Sequence, residues 1–155
     1  QKLYPNNVHG LILAGSSGLY ESAMGNSYPR RGDRDYIAER IRDVFYVKEV
    51  ATEELIDEVF ATVNDRNKAI KTLAISKSAI RHNMSNDIKE FKVPTCIVWG
   101  RQDDVTPPEV ADKFNNLMPN SELHWIDECG HAAMMERPEE FNTIIQKWLD
   151  KLLSN

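Results

Sequence analysis

A chain of 155 residues, 41% hydrophobic and 28% charged, can bury one ordinary core, and nothing in it reads as disordered or fibrous. A net charge of -5 with no clustered Lys/Arg stripe argues against a nucleic-acid partner, because counterion release needs concentrated positive charge. The longest apolar run, around Gly10 to Ala14, is far short of the roughly 20 residues of a membrane helix, and no charged-then-apolar leader opens the chain, so no membrane association is expected.

Gln1-Lys2-Leu3-Tyr4-Pro5 looks like the frayed end of a helix rather than a natural beginning, and polypeptide upstream is expected. His9-Gly10-Leu11-Ile12-Leu13-Ala14, closed by Gly15-Ser16-Ser17-Gly18, fits a buried strand entering a loop. From Leu19 to Asp33 the Gly, Ser, Asn and Pro content predicts a connecting loop. Helical spacing follows at Ile37, Ile41, Val44 and Phe45, and again at Leu55, Ile56, Val59, Phe60 and Val63, with Thr52 the expected N-cap of that second helix. A third helix is predicted from about Asn67 to Arg81, with Ile70, Leu73, Ala74 and Ile80 inward.

Thr95-Cys96-Ile97-Val98-Trp99 is β-rich and almost continuously apolar, as a strand covered on both faces should be. Thr106-Pro107-Pro108-Glu109 predicts a capped helix start, with Thr106 as N-cap and the helix running to about Met118. Glu122 to Ile126 is the next strand, and Pro138-Glu139-Glu140 opens a last helix carrying Phe141, Ile144, Ile145, Trp148, Leu149 and Leu152. Strand, helix, strand, helix implies an α/β fold with a three-stranded parallel sheet and flanking helices.

Functional groups in such sheets gather beyond the carboxyl ends of the strands. Gly100-Arg101-Gln102-Asp103-Asp104 follows the second strand, and Asp127-Glu128-Cys129-Gly130-His131 follows the third. A carboxylate and an imidazole on neighbouring loops are what an acid and base pair requires, since the carboxylate holds the ring in one tautomer. Each residue alone has a plainer reading, Asp as a turn former and His as a loop residue.

The segments Val98-Trp99-Gly100-Arg101-Gln102-Asp103, Glu128-Cys129-Gly130-His131 and Met135-Glu136-Arg137-Pro138-Glu139-Glu140-Phe141 together resemble the α/β-hydrolase family. The resemblance is strong over residues 93–153 and looser over the rest. It implies Asp103 as the acid and His131 as the general base of a catalytic triad, in the family's chain order of nucleophile, acid, histidine. Asp104 is the competing acid, read as a solvated turn or helix-start charge.

The G-x-S-x-G elbow that would carry a nucleophile is absent. Ser16 in Ala14-Gly15-Ser16-Ser17-Gly18 is the nearest look-alike, but no helix is predicted after it to present backbone N–H groups to an oxyanion. It is a candidate pocket residue instead. The whole chain, 1–155, therefore reads as the C-terminal portion of an α/β-hydrolase. Residues 20–90 form a loop and helical cap, and residues 91–155 the last strands and helices; whole members need roughly 250 residues, leaving about a hundred upstream. Tyr36, Phe45, Tyr46 and Met84 are candidates for lining a pocket under the cap, with core packing the alternative for each.

The expected parent is a serine-type hydrolase acting on an ester or related bond of a small-molecule substrate, with this chain inactive alone. The rival is a non-catalytic small-molecule-binding protein on the same scaffold; a self-contained interaction domain is a further alternative. No metal or organic cofactor is implied: Cys96 and Cys129 have no ligand spacing with the four histidines, and reduced thiols suit a cytoplasmic location. A first strand lacking its neighbours would expose an apolar edge, expected to be covered by self-association or by an N-terminal fragment. Arg31-Gly32-Asp33 and Asn83-Met84-Ser85 match short adhesion and glycosylation patterns by chance. His82 and His124 read as a surface cap and a satisfied strand histidine.

Overall fold

The structure, a computed structural model, describes residues 1–19, 30–81 and 83–154, the side chains of residues 79–81 excepted. Three strands, β1 (Leu11–Ala14), β2 (Thr95–Gly100) and β3 (Ser121–Ile126), form a parallel sheet in the order β1-β2-β3. Leu11 pairs with Thr95 and Thr95 with Ser121, so side chains of all three strands align in rows.

Period-two alternation on β2 distributes the core to both sides of the sheet. Ile97 and Trp99 join Leu11, Leu13, Val110, Ala111, Phe114 and Met118 beneath α4 (Pro108–Leu117). Cys96 and Val98 face Ile126, Cys129 and Trp148 beneath α6 (Pro138–Leu153), whose Phe141, Ile144, Ile145, Leu149 and Leu152 supply the stripe predicted from helical spacing. β2 is buried along its whole length, which explains its continuous hydrophobicity.

Between β1 and β2 the described chain is helical: α1 (Arg34–Arg42), α2 (Glu53–Asn64) and α3 (Arg66–Arg81). Asp33 caps α1 through the Tyr36 N–H at 3.1 Å, and Thr52 caps α2 through the Leu55 N–H at 3.3 Å. Arg34 lies between Glu53 and Asp57 at 2.7 and 2.6 Å, tying α1 to α2, and these two carboxylates raise its guanidinium above the usual value. The core of this block is Ile37, Ala38, Ile41, Phe45, Ala51 and Ile56, to which the histidine loop adds Ala132.

Three expectations change. α3 does not bury the predicted face: Ile70 is 56% exposed and Ala74 is also exposed, because α3 packs chiefly along α2. Val44 and Phe45 lie past the end of α1, in the chain that turns back toward the sheet. A short helix with no counterpart in the sequence reading, α5 (Ala133–Glu136), precedes α6. The predicted inward role of Ile80, the cap role of His82 and residues 20–29 of the predicted loop lie outside the described residues. Among the described residues no helix is long and apolar enough to cross a membrane.

Candidate active site

Because the three strands are parallel, Gly15, Asp103 and His131 all follow carboxyl ends on one edge of the sheet. The acid and histidine loops are zipped together. A Cβ on Gly100 would collide with the carbonyls of Cys129 and Gly130. That proximity lets the Arg101 N–H donate to the Ile126 carbonyl at 3.0 Å and the Gln102 N–H to the Cys129 carbonyl at 2.9 Å. The Gln102 side-chain oxygen accepts the Cys129 N–H at 3.0 Å.

Asp103, 1% exposed, has four donors in place of water. Its Oδ1 accepts the N–H groups of Val105 and Thr106 at 2.9 and 2.8 Å. Its Oδ2 accepts the Thr106 hydroxyl at 2.8 Å and faces His131 Nδ1 at 2.9 Å. With Nδ1–H donating to the carboxylate, the Nε2 lone pair of the partly exposed ring is left to act as a base. Nε2 has no hydrogen-bond partner among the described residues. Asp104 is exposed at the surface of the same turn.

Gly15 packs against the Nδ1–Cε1 edge of the imidazole. Its φ of +50° favours glycine, and a Cβ there would stand 2.8 Å from the His131 carbonyl oxygen and 2.9 Å from Nδ1. The histidine loop is also fastened to the helical block: the His131 N–H donates to the Val44 carbonyl at 2.9 Å. Glu136 completes the attachment. Its buried carboxylate accepts the N–H groups of Gly130, Tyr46 and Val47 at 2.7, 2.8 and 3.1 Å. Burial pushes the neighbouring Cys129 thiol up to about 12, with the Glu136 carboxylate adding to it; burial, then Glu122, pushes Cys96 up to about 11.

The remaining candidates are distributed differently. Ser16 lies in the turn beside Gly15; its hydroxyl reaches the Ala14 carbonyl at 3.5 Å, and no hydrogen bond joins it to His131 among the described residues. Met84 stands next to this turn, its N–H donating to the Gly18 carbonyl at 2.8 Å. Tyr46 is 47% exposed beside the histidine loop. Phe45, 3% exposed, is part of the helical block's own core. Tyr36 sits on that block between the guanidinium groups of Arg30 and Arg40, 5.8 and 5.7 Å from its ring centre.

Two residues of the site were not singled out for it by the sequence. Glu136 was visible only as part of the Met135–Phe141 segment that resembles the family, and nothing local in Met-Met-Glu-Arg-Pro marks its carboxylate as buried. Thr106 is a correction: α4 starts at Pro108 with Pro107 in the N-cap position and no side-chain cap, while the Thr106 hydroxyl turns to Asp103. His124 is also corrected, since among the described residues its Nε2 is buried without a hydrogen-bond partner, with Glu122 4.0 Å away. Among the described residues no cluster of His, Cys, Asp and Glu could hold a metal ion.

A parallel sheet with an acid and an imidazole at its carboxyl edge defines a class, and residues 47–138 match the family described as alpha/beta hydrolase fold. The chain belongs to the alpha/beta hydrolase family. It is 30% identical over 159 residues to 2-hydroxy-6-oxononadienedioate/2-hydroxy-6-oxononatrienedioate hydrolase of Pseudomonas sp, covering 94% of this chain and 56% of that protein. It is 34% identical over 77 residues to the monoacylglycerol lipase ABHD6 of Mus musculus, covering 50% of this chain and 23% of that protein. Among solved structures it is similar to MGS-MChE2, an alpha/beta hydrolase enzyme from a sediment metagenome of the lagoon of Mar Chica, Morocco. There the identity is 46% and the TM-score 0.69, over 97% of this chain and 53% of the other. The meta-cleavage product hydrolase of Pseudomonas fluorescens IP01, 18% identical with a TM-score of 0.81 over 97% of this chain and 58% of its own, shares the fold. The chain thus spans about half the length of the relatives it matches across most of its sequence.

Proposed function

We propose that this chain supplies the general base and its orienting acid to a serine-type hydrolase of a small-molecule ester or related carbonyl compound. His131 is the base and Asp103 the acid; the nucleophile comes from polypeptide outside these 155 residues. The observation that carries this reading is the 2.9 Å contact between Asp103 Oδ2 and His131 Nδ1, made by a buried carboxylate to a ring whose other nitrogen points away from it. Absence of a G-x-S-x-G elbow and the half-length match to hydrolases support a nucleophile elsewhere.

In this mechanism the serine hydroxyl gives its proton to His131 Nε2 as its oxygen bonds to the substrate carbonyl carbon. Asp103 stabilises the imidazolium across the Nδ1–H bond. The ring then hands the proton to the leaving group as the carbonyl bond to that group breaks. A water molecule repeats the sequence on the acyl intermediate and frees the serine. The chain by itself is inactive on this reading, and the β1 edge pairs with a further strand, from upstream polypeptide or from a second copy.

The test uses the protein with its upstream polypeptide, assayed on p-nitrophenyl esters and labelled with a fluorophosphonate. A labelled serine outside the 155 residues is expected, together with a loss of about a thousandfold or more in kcat for His131→Ala while the circular dichroism stays native. Undiminished turnover in that variant would sink the assignment. Absence of any nucleophilic serine upstream would point instead to a small-molecule-binding protein.

A further inference from the structure

We propose that Thr106 is a positioning residue of the acid and base pair: its buried hydroxyl donates to Asp103 Oδ2 and presents a lone pair to His131 Nδ1, so that only an Nδ1–H ring fits. This rests on the reading of Asp103 and His131 given above.

The argument is one of proton counting. A hydroxyl has a single proton, and that of Thr106 lies toward Asp103 Oδ2 at 2.8 Å. What Thr106 turns to His131 Nδ1, 3.2 Å away, is therefore oxygen lone-pair density, and Asp103 Oδ2 presents the same at 2.9 Å. A ring with its own lone pair at Nδ1 would meet two acceptors and no donor. The Nδ1–H ring meets both with its proton, which leaves the Nε2 lone pair as the base.

Thr106 is held for this on its backbone as well. Its N–H donates to Asp103 Oδ1 at 2.8 Å, and its carbonyl accepts the indole N–H of the fully buried Trp99 at 2.8 Å. The hydroxyl has left the helix-capping role its sequence position suggests, since α4 begins two residues later without a side-chain cap. Neighbouring elements leave the arrangement uncontested: Gly15 brings no side chain to the ring, and the Glu136 carboxylate is engaged by three backbone N–H groups.

The ring 15N shifts of His131, read through its carbon-bound protons on the full chain, test this directly. Thr106→Val keeps the volume and removes the hydroxyl; Thr106→Ser keeps the hydroxyl. The Nδ1 shift is expected to move in the valine variant and to stay at its native position in the serine variant. In the ester assay, Thr106→Val should lower kcat by roughly three- to tenfold with KM within about twofold, and Thr106→Ser should restore it. Coincident ring shifts in the native protein and Thr106→Val, or an equal displacement in Thr106→Ser, overturn the proposal. If the valine variant does not fold, Thr106→Ala replaces it under the same criteria. The ring shifts need no turnover, so a failure of the hydrolase reading and a failure of the Thr106 role are separately visible.

Discussion

At the scale of single residues the site depends on what is missing from Gly15. Its positive φ and the 2.9 Å that would separate an added Cβ from His131 Nδ1 make this position intolerant for two independent reasons. On the proposed hydrolase reading, Gly15→Ala is expected to displace the imidazole and cut turnover by about a hundredfold, the usual cost of moving a reacting group by an ångström. Native kcat in that variant would remove Gly15 from the site. The two buried thiols make a different prediction. Cys96 and Cys129 are raised from 9.0 to about 11 and about 12, chiefly by burial. An acidic group raised on folding keeps its full contribution below its unfolded value and loses it as pH climbs toward the folded one. Stability should therefore fall progressively from about pH 9 upward as the unfolded chain ionises first, and Cys96→Ala/Cys129→Ala should flatten that part of the curve. Denaturant midpoints across this range decide it; an unchanged alkaline slope in the double variant would be contrary.

At the scale of elements, caps and attachments carry the weight. Thr52 accepts the Leu55 N–H at 3.3 Å, and Thr52→Ala should cost about 1 kcal/mol in denaturant unfolding. Glu136, the last residue of α5, holds the 46–47 segment of the helical block and the histidine loop on one carboxylate. Glu136→Ala strands three backbone N–H groups, an expected loss of about 2 kcal/mol or more, since buried donors without acceptors are costly. The same change should loosen His131 relative to the helical block, seen as faster amide exchange at Gly130 and Tyr46. If those amides keep their protection, the carboxylate is not what joins the two regions. Thr52 was readable because a cap acts within three residues, whereas Glu136 was not, because its partners Tyr46 and Val47 lie far away in sequence.

For the whole molecule the telling feature is β1. Among the described residues it lies at the end of the β1-β2-β3 order, with Ile12 43% exposed on the face toward α6. Such an edge offers unpaired backbone groups and apolar surface together. The chain on its own is expected to self-associate, and light scattering combined with intact mass should show a species larger than one copy. A folded monomer with no second polypeptide would refute this. Upstream polypeptide that supplies the next strand should abolish the association.

Periodicity and strand-end chemistry were sufficient to place β2, β3, α2, α4 and α6 within a residue or two, because burial on one or two faces writes itself into spacing. Asp103 and His131 stood out from their motifs and from the rule that parallel strands collect function at their carboxyl ends. The exposed face of α3 and the turn of Val44 and Phe45 away from α1 could not be read that way, since the pattern says which residues are apolar and not which neighbour covers them. Thr106 shows the limit most clearly. Locally it reads as a helix cap; its hydroxyl instead meets the Asp103 carboxylate three residues back, and only the fold, by bringing the β2 and β3 loops within hydrogen-bond range, sets the imidazole opposite it. Local sequence determines what a side chain can donate or accept; tertiary structure determines which partner is there to receive it.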